Sequence, residues 1–170
     1  YDISATYGMN RLDYVLRGSL NPSWGPYSQT VFRPGDLMQE DLNFNVDFSK
    51  AFTDNFNVAV GFESRKETYT MFAGEQQAWA AGPWSGVSKL INPETGENYA
   101  EPSVGANGFS GTNEESAGAF ESTNWALYAD AEWDITDAWL LQLAVRYEDY
   151  KLFGSTDNYK VATRYTVADW

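Results

Sequence analysis

Through most of this chain apolar residues recur at every second position, and no stretch sustains a helical period. Side chains alternate across a β-strand, so such a pattern gives each strand one apolar and one polar face. In residues 124–134, Trp125, Leu127, Ala129, Ala131 and Trp133 share a face opposite Tyr128, Asp130, Glu132 and Asp134. Residues 139–150 repeat the design, with Trp139, Leu141, Leu143, Val145 and Tyr147 opposite Gln142, Ala144, Arg146 and Glu148. A three-residue connection, Thr136 to Ala138, would pair Ile135 with Trp139 and keep both apolar faces on one side.

An earlier hairpin has the same layout. Leu42, Phe44, Val46 and Phe48 form an apolar stripe that Phe56, Val58, Val60 and Phe62 continue beyond Thr53-Asp54-Asn55. Its polar face carries Asp41, Asp47, Glu63, Arg65 and Glu67. Weaker alternation marks the N-terminal residues, with a phase shift near Arg11 and Leu12, and residues 158–170. The reading is all-β, with six antiparallel strands at about 1–16, 37–52, 56–70, 121–134, 139–152 and 158–170. Residues 21–36 read as a moderate loop and 153–157 as a short one. The Gly-, Ser-, Pro- and Asn-rich stretch of about 73–120 reads as one long loop. Tight turns therefore gather at one end of the strands and longer loops at the other, the asymmetry of outer-membrane barrels.

Composition narrows the alternatives. There is no Cys and no His, which removes disulfides, thiolate metal sites and the commonest general base. The net charge of −13 argues against nucleic acid as a partner. Mean hydropathy is −0.48, yet a barrel strand is apolar only at alternate positions, so its average looks soluble. A secreted β-sandwich, for example a carbohydrate-binding module, also alternates, but its strands are usually about 5–6 residues long. Here the runs are longer. The apolar stripes also end in aromatics, with Phe52, Phe56, Trp133 and Trp139 at the turn end and Trp125 and Tyr147 toward the loop end. Two such girdles mark barrel–lipid interfaces. A passive porin-type channel is a further alternative. Six strands are too few to enclose a lumen, because the smallest outer-membrane barrels have about eight. Strand-like patterns also reach Tyr1 and Trp170, so the expectation is a segment of a larger barrel.

Several stretches resemble the barrel of TonB-dependent outer-membrane receptors. One runs from Asn124 to Thr136. A second is Leu143-Ala144-Val145-Arg146-Tyr147-Glu148-Asp149-Tyr150, followed by Phe153-Gly154 and Asn158-Tyr159-Lys160. Residues 61–69 with Gly74-Glu75, and Leu20-Asn21-Pro22-Ser23-Trp24-Gly25 leading to Phe32-Arg33-Pro34-Gly35, are similar as well. The resemblance implies a barrel of about 22 strands with a plugged lumen. It also implies a bacterial outer-membrane location and active uptake of a scarce nutrient (siderophore, vitamin or oligosaccharide) powered through TonB. The implied partners are membrane lipid, the remaining barrel with its plug, TonB and the small-molecule ligand. No plug and no TonB box occur within these residues.

Candidate residues follow from the faces. Glu63, Arg65, Glu67, Asp130, Glu132, Arg146 and Glu148 are expected to face the lumen, as a ladder of cross-strand ion pairs rather than as catalytic carboxylates. Phe44, Val60, Leu127, Leu143 and Val145 are expected to face lipid. Trp79, Trp84, Tyr99 and Phe109 in the long loop are candidate ligand contacts, whose rings stack either on a ligand or on the rim. Ser155 to Asn158 reads as turn chemistry rather than a calcium site. No enzyme activity, cofactor or metal is expected.

Overall fold

The computed structural model describes residues 1–86, 92–97 and 101–167. In chain order its strands are β1 (Asp2–Leu12), β2 (Leu16–Arg17), β3 (Val31–Phe32), β4 (Leu37–Thr53), β5 (Phe56–Met71), β6 (Gly118–Thr136), β7 (Trp139–Tyr150) and β8 (Gly154–Tyr165). The long strands form one six-stranded sheet in the order β1-β4-β5-β6-β7-β8. The sheet is not closed on itself, and β1 and β8 are its edges. A two-stranded ladder, β2 with β3, pairs Leu16 with Phe32. No helix among the described residues is long and apolar enough to cross a membrane, which has no bearing on crossing by strands.

By contacts the chain divides into two compact units. The first, Tyr1–Met9, Glu40–Thr68 and residues from Glu121 onward, is sheet. Its register sets which side chains meet. In β6 and β7, Trp133 lies opposite Leu141, Ala131 opposite Leu143 and Leu127 opposite Tyr147. In β7 and β8, Leu143 lies opposite Val161 and Val145 opposite Tyr159. The apolar residues of these strands therefore share one face, as period-two alternation requires.

Two turns differ from the sequence reading. The β6–β7 connection is tighter than expected: pairing steps from Asp134↔Leu140 to Thr136↔Trp139, so Ile135 has no partner at Trp139. The extra residue forms a bulge, which shortens the turn to Asp137-Ala138 while both faces of the hairpin keep their sides. The loop expected at 153–157 is instead a turn at Lys151–Phe153, and Ser155 to Asn158 belongs to β8 rather than to a turn. Gly154, at φ 83°, makes this possible. Its left-handed conformation closes a three-residue hairpin, and the ladder then takes the polar residues as Asp149↔Ser155 and Tyr147↔Asp157.

On the polar face the sheet is strapped across three strands. Tyr128 of β6 donates its hydroxyl hydrogen to Asp47 of β4, passing over Gly61 of β5. A Cβ at Gly61 would overlap the Tyr128 ring, so only glycine lets the ring lie across the intervening strand. The Arg146 guanidinium stands 5.7 Å from the centroid of the same ring. We expect Gly61→Val to destabilise the full-length barrel by about 1–3 kcal/mol through overpacking, and Tyr128→Phe by about 1 kcal/mol for a lost hydrogen bond. Urea unfolding midpoints in lipid vesicles check both. No loss from Tyr128→Phe, or a Gly61→Val protein as stable as the parent, would contradict the strap.

Candidate functional site

The sheet unit offers two surfaces of opposite character. On its polar face Arg146 reaches over β6 to Glu63, with Nη2 2.8 Å from Oε2, and its Nε donates to Glu148 at 2.8 Å. Arg65 pairs with Glu67 at 2.6 Å and with Asp41 at 3.4 Å. Gln142 donates to Asp130 at 3.0 Å and accepts from the Lys160 ammonium at 3.0 Å. Glu132 stands opposite Gln142 in the ladder. All seven polar-face candidates thus lie on one continuous surface, in which Glu63, Arg146 and Glu148 form one group and Arg65 and Glu67 another. Half-exposed pairs of this kind stabilise by at most about 1 kcal/mol each. Their effect is to hold long side chains in place along a wet surface. The Arg65 Nε is buried and finds no acceptor among the described residues. No group of three Asp or Glu among the described residues could hold a metal ion.

The opposite face is apolar and open. Phe44, Val60, Leu127, Leu143 and Val145 keep between 41% and 50% of their surface exposed. A sandwich would cover these residues with a second sheet, but the only other ladder among the described residues is the two-residue β2–β3 pair. A shallow apolar groove crosses this face, floored by Ala129 and Ala131 and flanked by Leu143, Val145 and Val161. Aromatic rings gather at two levels. At the turn end the Phe52 and Phe56 rings lie 6.3 Å apart, Phe56 meets Trp133 edge-on at 6.4 Å, and Trp139 donates its indole N–H to Thr163 at 2.7 Å. Toward the other end Trp125 and Tyr147 lie 5.4 Å apart.

The second unit, Asn10–Gln39 and Tyr69–Phe120, contains the long connection. It has structure of its own, unlike the featureless loop its composition suggests. It contains a 3-10 segment, Pro22–Tyr27, a single helical turn, Gln76–Trp79, and a small core of Phe32, Ala78 and Ala106, with Leu16 packed against it. Asn21, fully buried, ties the unit together. Its amide nitrogen donates to the carbonyls of Gln77 and Ala80 at 2.9 and 3.1 Å. Its carbonyl oxygen accepts from the Ser23 hydroxyl at 2.6 Å and from the Gly105 N–H at 3.2 Å. Three distant stretches of chain are thereby joined by one side chain, and every polar atom of the amide is used.

Asp36 is the other junction. Burial alone would raise its pKa, but hydrogen bonds from the Arg11 guanidinium (3.0 Å) and the Tyr14 N–H (3.2 Å) outweigh it and hold the carboxyl below its ordinary value. The phase shift near Arg11 is therefore where β1 ends and its side chain turns to Asp13 and Asp36.

The aromatic candidates of this unit separate. Trp79 and Phe109 line one cavity of about 440 Å³. The Trp79 indole N–H donates to the Gly74 carbonyl at 3.1 Å, which fixes the ring. Phe109 stacks on Tyr14 at 5.5 Å with the planes 17° apart. Trp84 lies elsewhere, with its indole packed over Gly25, and does not line this cavity. Tyr99 lies outside the described residues. Sequence reading missed Asn21, Ser23 and Asp36. The only signal was local, an Asn before Pro at a helix start, and it says nothing of the partners 56 to 84 residues away.

The entire chain, residues 1–170, matches the family described as TonB dependent receptor-like, beta-barrel. It belongs to that family. The family comprises outer-membrane receptors with a transport function and is not an enzyme family; its barrels lie in the bacterial outer membrane and interact with a plug and with TonB. Comparison with curated proteins and with solved structures yields no match.

Replacement of Asn21 by Ala leaves the Gly105 N–H and the Gln77 carbonyl without their partner inside the second unit, while the Ala80 carbonyl keeps the Trp24 indole N–H at 3.2 Å. Each such group costs about 1–3 kcal/mol, so the unit should open locally. Limited proteolysis of the full-length receptor should then cut within residues 73–117 at least tenfold faster. Unchanged cutting would mean that Asn21 is not the junction.

Proposed function

We propose that this chain is a wall segment and outer ligand-contacting unit of a receptor that actively takes up a scarce nutrient, a siderophore, vitamin or oligosaccharide, with energy delivered through TonB. The family match along the whole chain carries this reading, and the two faces of the sheet agree with it. The apolar face would meet lipid, with acyl chains filling the groove over Ala129 and Ala131. The polar face, with Glu63, Arg65, Glu67, Asp130, Glu132, Arg146 and Glu148, would line the lumen beside the plug.

A length argument supports the aromatic clusters as girdles. Trp125 and Trp133 are eight residues apart on β6, as are Tyr147 and Trp139 on β7. Eight residues span about 27 Å of strand, and a tilt of roughly 40° reduces this to about 20 Å of height, close to the ~25 Å apolar band of such barrels. In hydrocarbon the open edges β1 and β8 would need partners, because unpaired backbone groups are too costly there. The remaining barrel strands would supply them.

Two measurements test the reading. Leu143→Arg should cost about 2–4 kcal/mol at mid-bilayer depth, and Gln142→Arg on the other face close to nothing; equal costs in vesicle refolding would contradict the assigned faces. In cells, deletion of residues 101–117 from the full-length receptor should abolish TonB-dependent accumulation of its nutrient while the barrel still inserts. Accumulation that survives loss of TonB would instead indicate a passive channel.

A further inference from the structure

The cavity in the second unit has a chemical character of its own. Besides Trp79 and Phe109, its lining includes Ser110, Thr112, Asn113 and Ser116, and none of its lining residues is charged. At about 440 Å³ it falls within the roughly 300–1,000 Å³ of small-molecule sites. The surrounding segment 101–117 contributes Glu101, Glu114 and Glu115 and no Lys or Arg. An anionic ligand would meet these carboxylates and find no cation among the residues that line the cavity. What the walls offer is two aromatic rings and a row of hydroxyl and amide groups. Asn113 gives its carbonyl oxygen to the Ser116 N–H at 2.8 Å, which leaves its amide NH₂ to donate.

The walls are also held in place before any ligand arrives. The Thr112 N–H donates to the Pro34 carbonyl at 2.7 Å, the Gly74 N–H to the Thr112 carbonyl at 2.9 Å, and the Ala106 N–H to the Ala78 carbonyl at 2.8 Å. Trp79 is locked by its indole bond to Gly74. A preformed site binds more tightly, because less ordering is required when the ligand enters.

We propose that this cavity binds a neutral, hydroxyl-rich ligand, a sugar ring of an uncharged oligosaccharide, stacked on Trp79 and Phe109 and hydrogen-bonded along Ser110 to Ser116. The C–H face of a sugar ring is weakly positive and apolar and suits the negative face of an aromatic ring. Its hydroxyls both donate and accept, as the lining Ser, Thr and Asn side chains do. The inference rests on the receptor reading above and narrows its nutrient to one class.

The test uses the full-length receptor in detergent on an array of neutral and acidic glycans, with an anionic ferric catecholate complex as the contrasting probe. A neutral glycan should bind, and Trp79→Ala and Phe109→Ala should each weaken it about tenfold or more. Trp79→Phe, which retains a ring, should restore most of the affinity and excludes misfolding as the cause. Binding of no neutral glycan, or binding that Trp79→Ala leaves unchanged, overturns the proposal. If the ferric complex binds instead and its uptake requires TonB, the sugar assignment falls while the receptor reading stands. If no glycan is taken up in a TonB-dependent manner the sugar assignment falls, and if a ferric complex and a corrinoid vitamin also fail to enter in that manner the receptor reading falls with it.

Discussion

Each long strand of the sheet can give its backbone N–H and C=O groups to its neighbours only while register is kept, and everything else in the molecule depends on that ladder. A slip of one residue would exchange the faces of a strand and place Asp130 beside Leu143. The bulge at Ile135 and the left-handed Gly154 are the local adjustments by which two hairpins reverse direction without such a slip. With register kept, the ion pairs of Arg146 and Arg65 fall on one face and the aliphatic and aromatic stripes on the other.

The two faces then have different energetics. The apolar face stays half exposed in this segment, and aliphatic side chains left that way forgo the transfer free energy that burial would give. Such a face needs an apolar environment, and under the proposed function outer-membrane lipid would supply it. The polar face gains little from any one ion pair. Its strap from Tyr128 to Asp47 and its reach from Arg146 to Glu63 each cross an intervening strand, so they tie together strands that share no backbone hydrogen bond.

The second unit is organised on another principle. Its apolar core is small, with Phe32 the only large side chain among the buried hydrophobic residues described there. A core of that size leaves much of the ordering of a Gly- and Ser-rich chain to hydrogen bonds. Asn21 and Asp36 supply them, Asn21 by joining residues 21, 77–80 and 105 and Asp36 by binding Arg11 and the Tyr14 N–H. The walls of the Trp79 and Phe109 cavity are held in part by this frame, through Asn21 at Gln77, Ala80 and Gly105, and in part by the backbone bonds of Thr112 to Pro34 and Gly74.

The sequence by itself determined the six long strands and their faces, because period-two alternation is a local property that every second residue reports, and the resemblance of its motifs pointed to the family. Leu127 and Leu143 could be placed on one face without coordinates, and so could Asp130 and Arg146. Local pattern also explains the errors: a bulge at Ile135 and a turn closed by Gly154 change the residue count without changing the alternation. Only the tertiary structure decided how residues 73–120 are used. It separated Trp84, packed on Gly25, from Trp79 and Phe109, which line a cavity, and it showed Asn21 as the junction of three stretches. Those relations depend on contacts between residues as many as 84 positions apart, which no periodicity encodes.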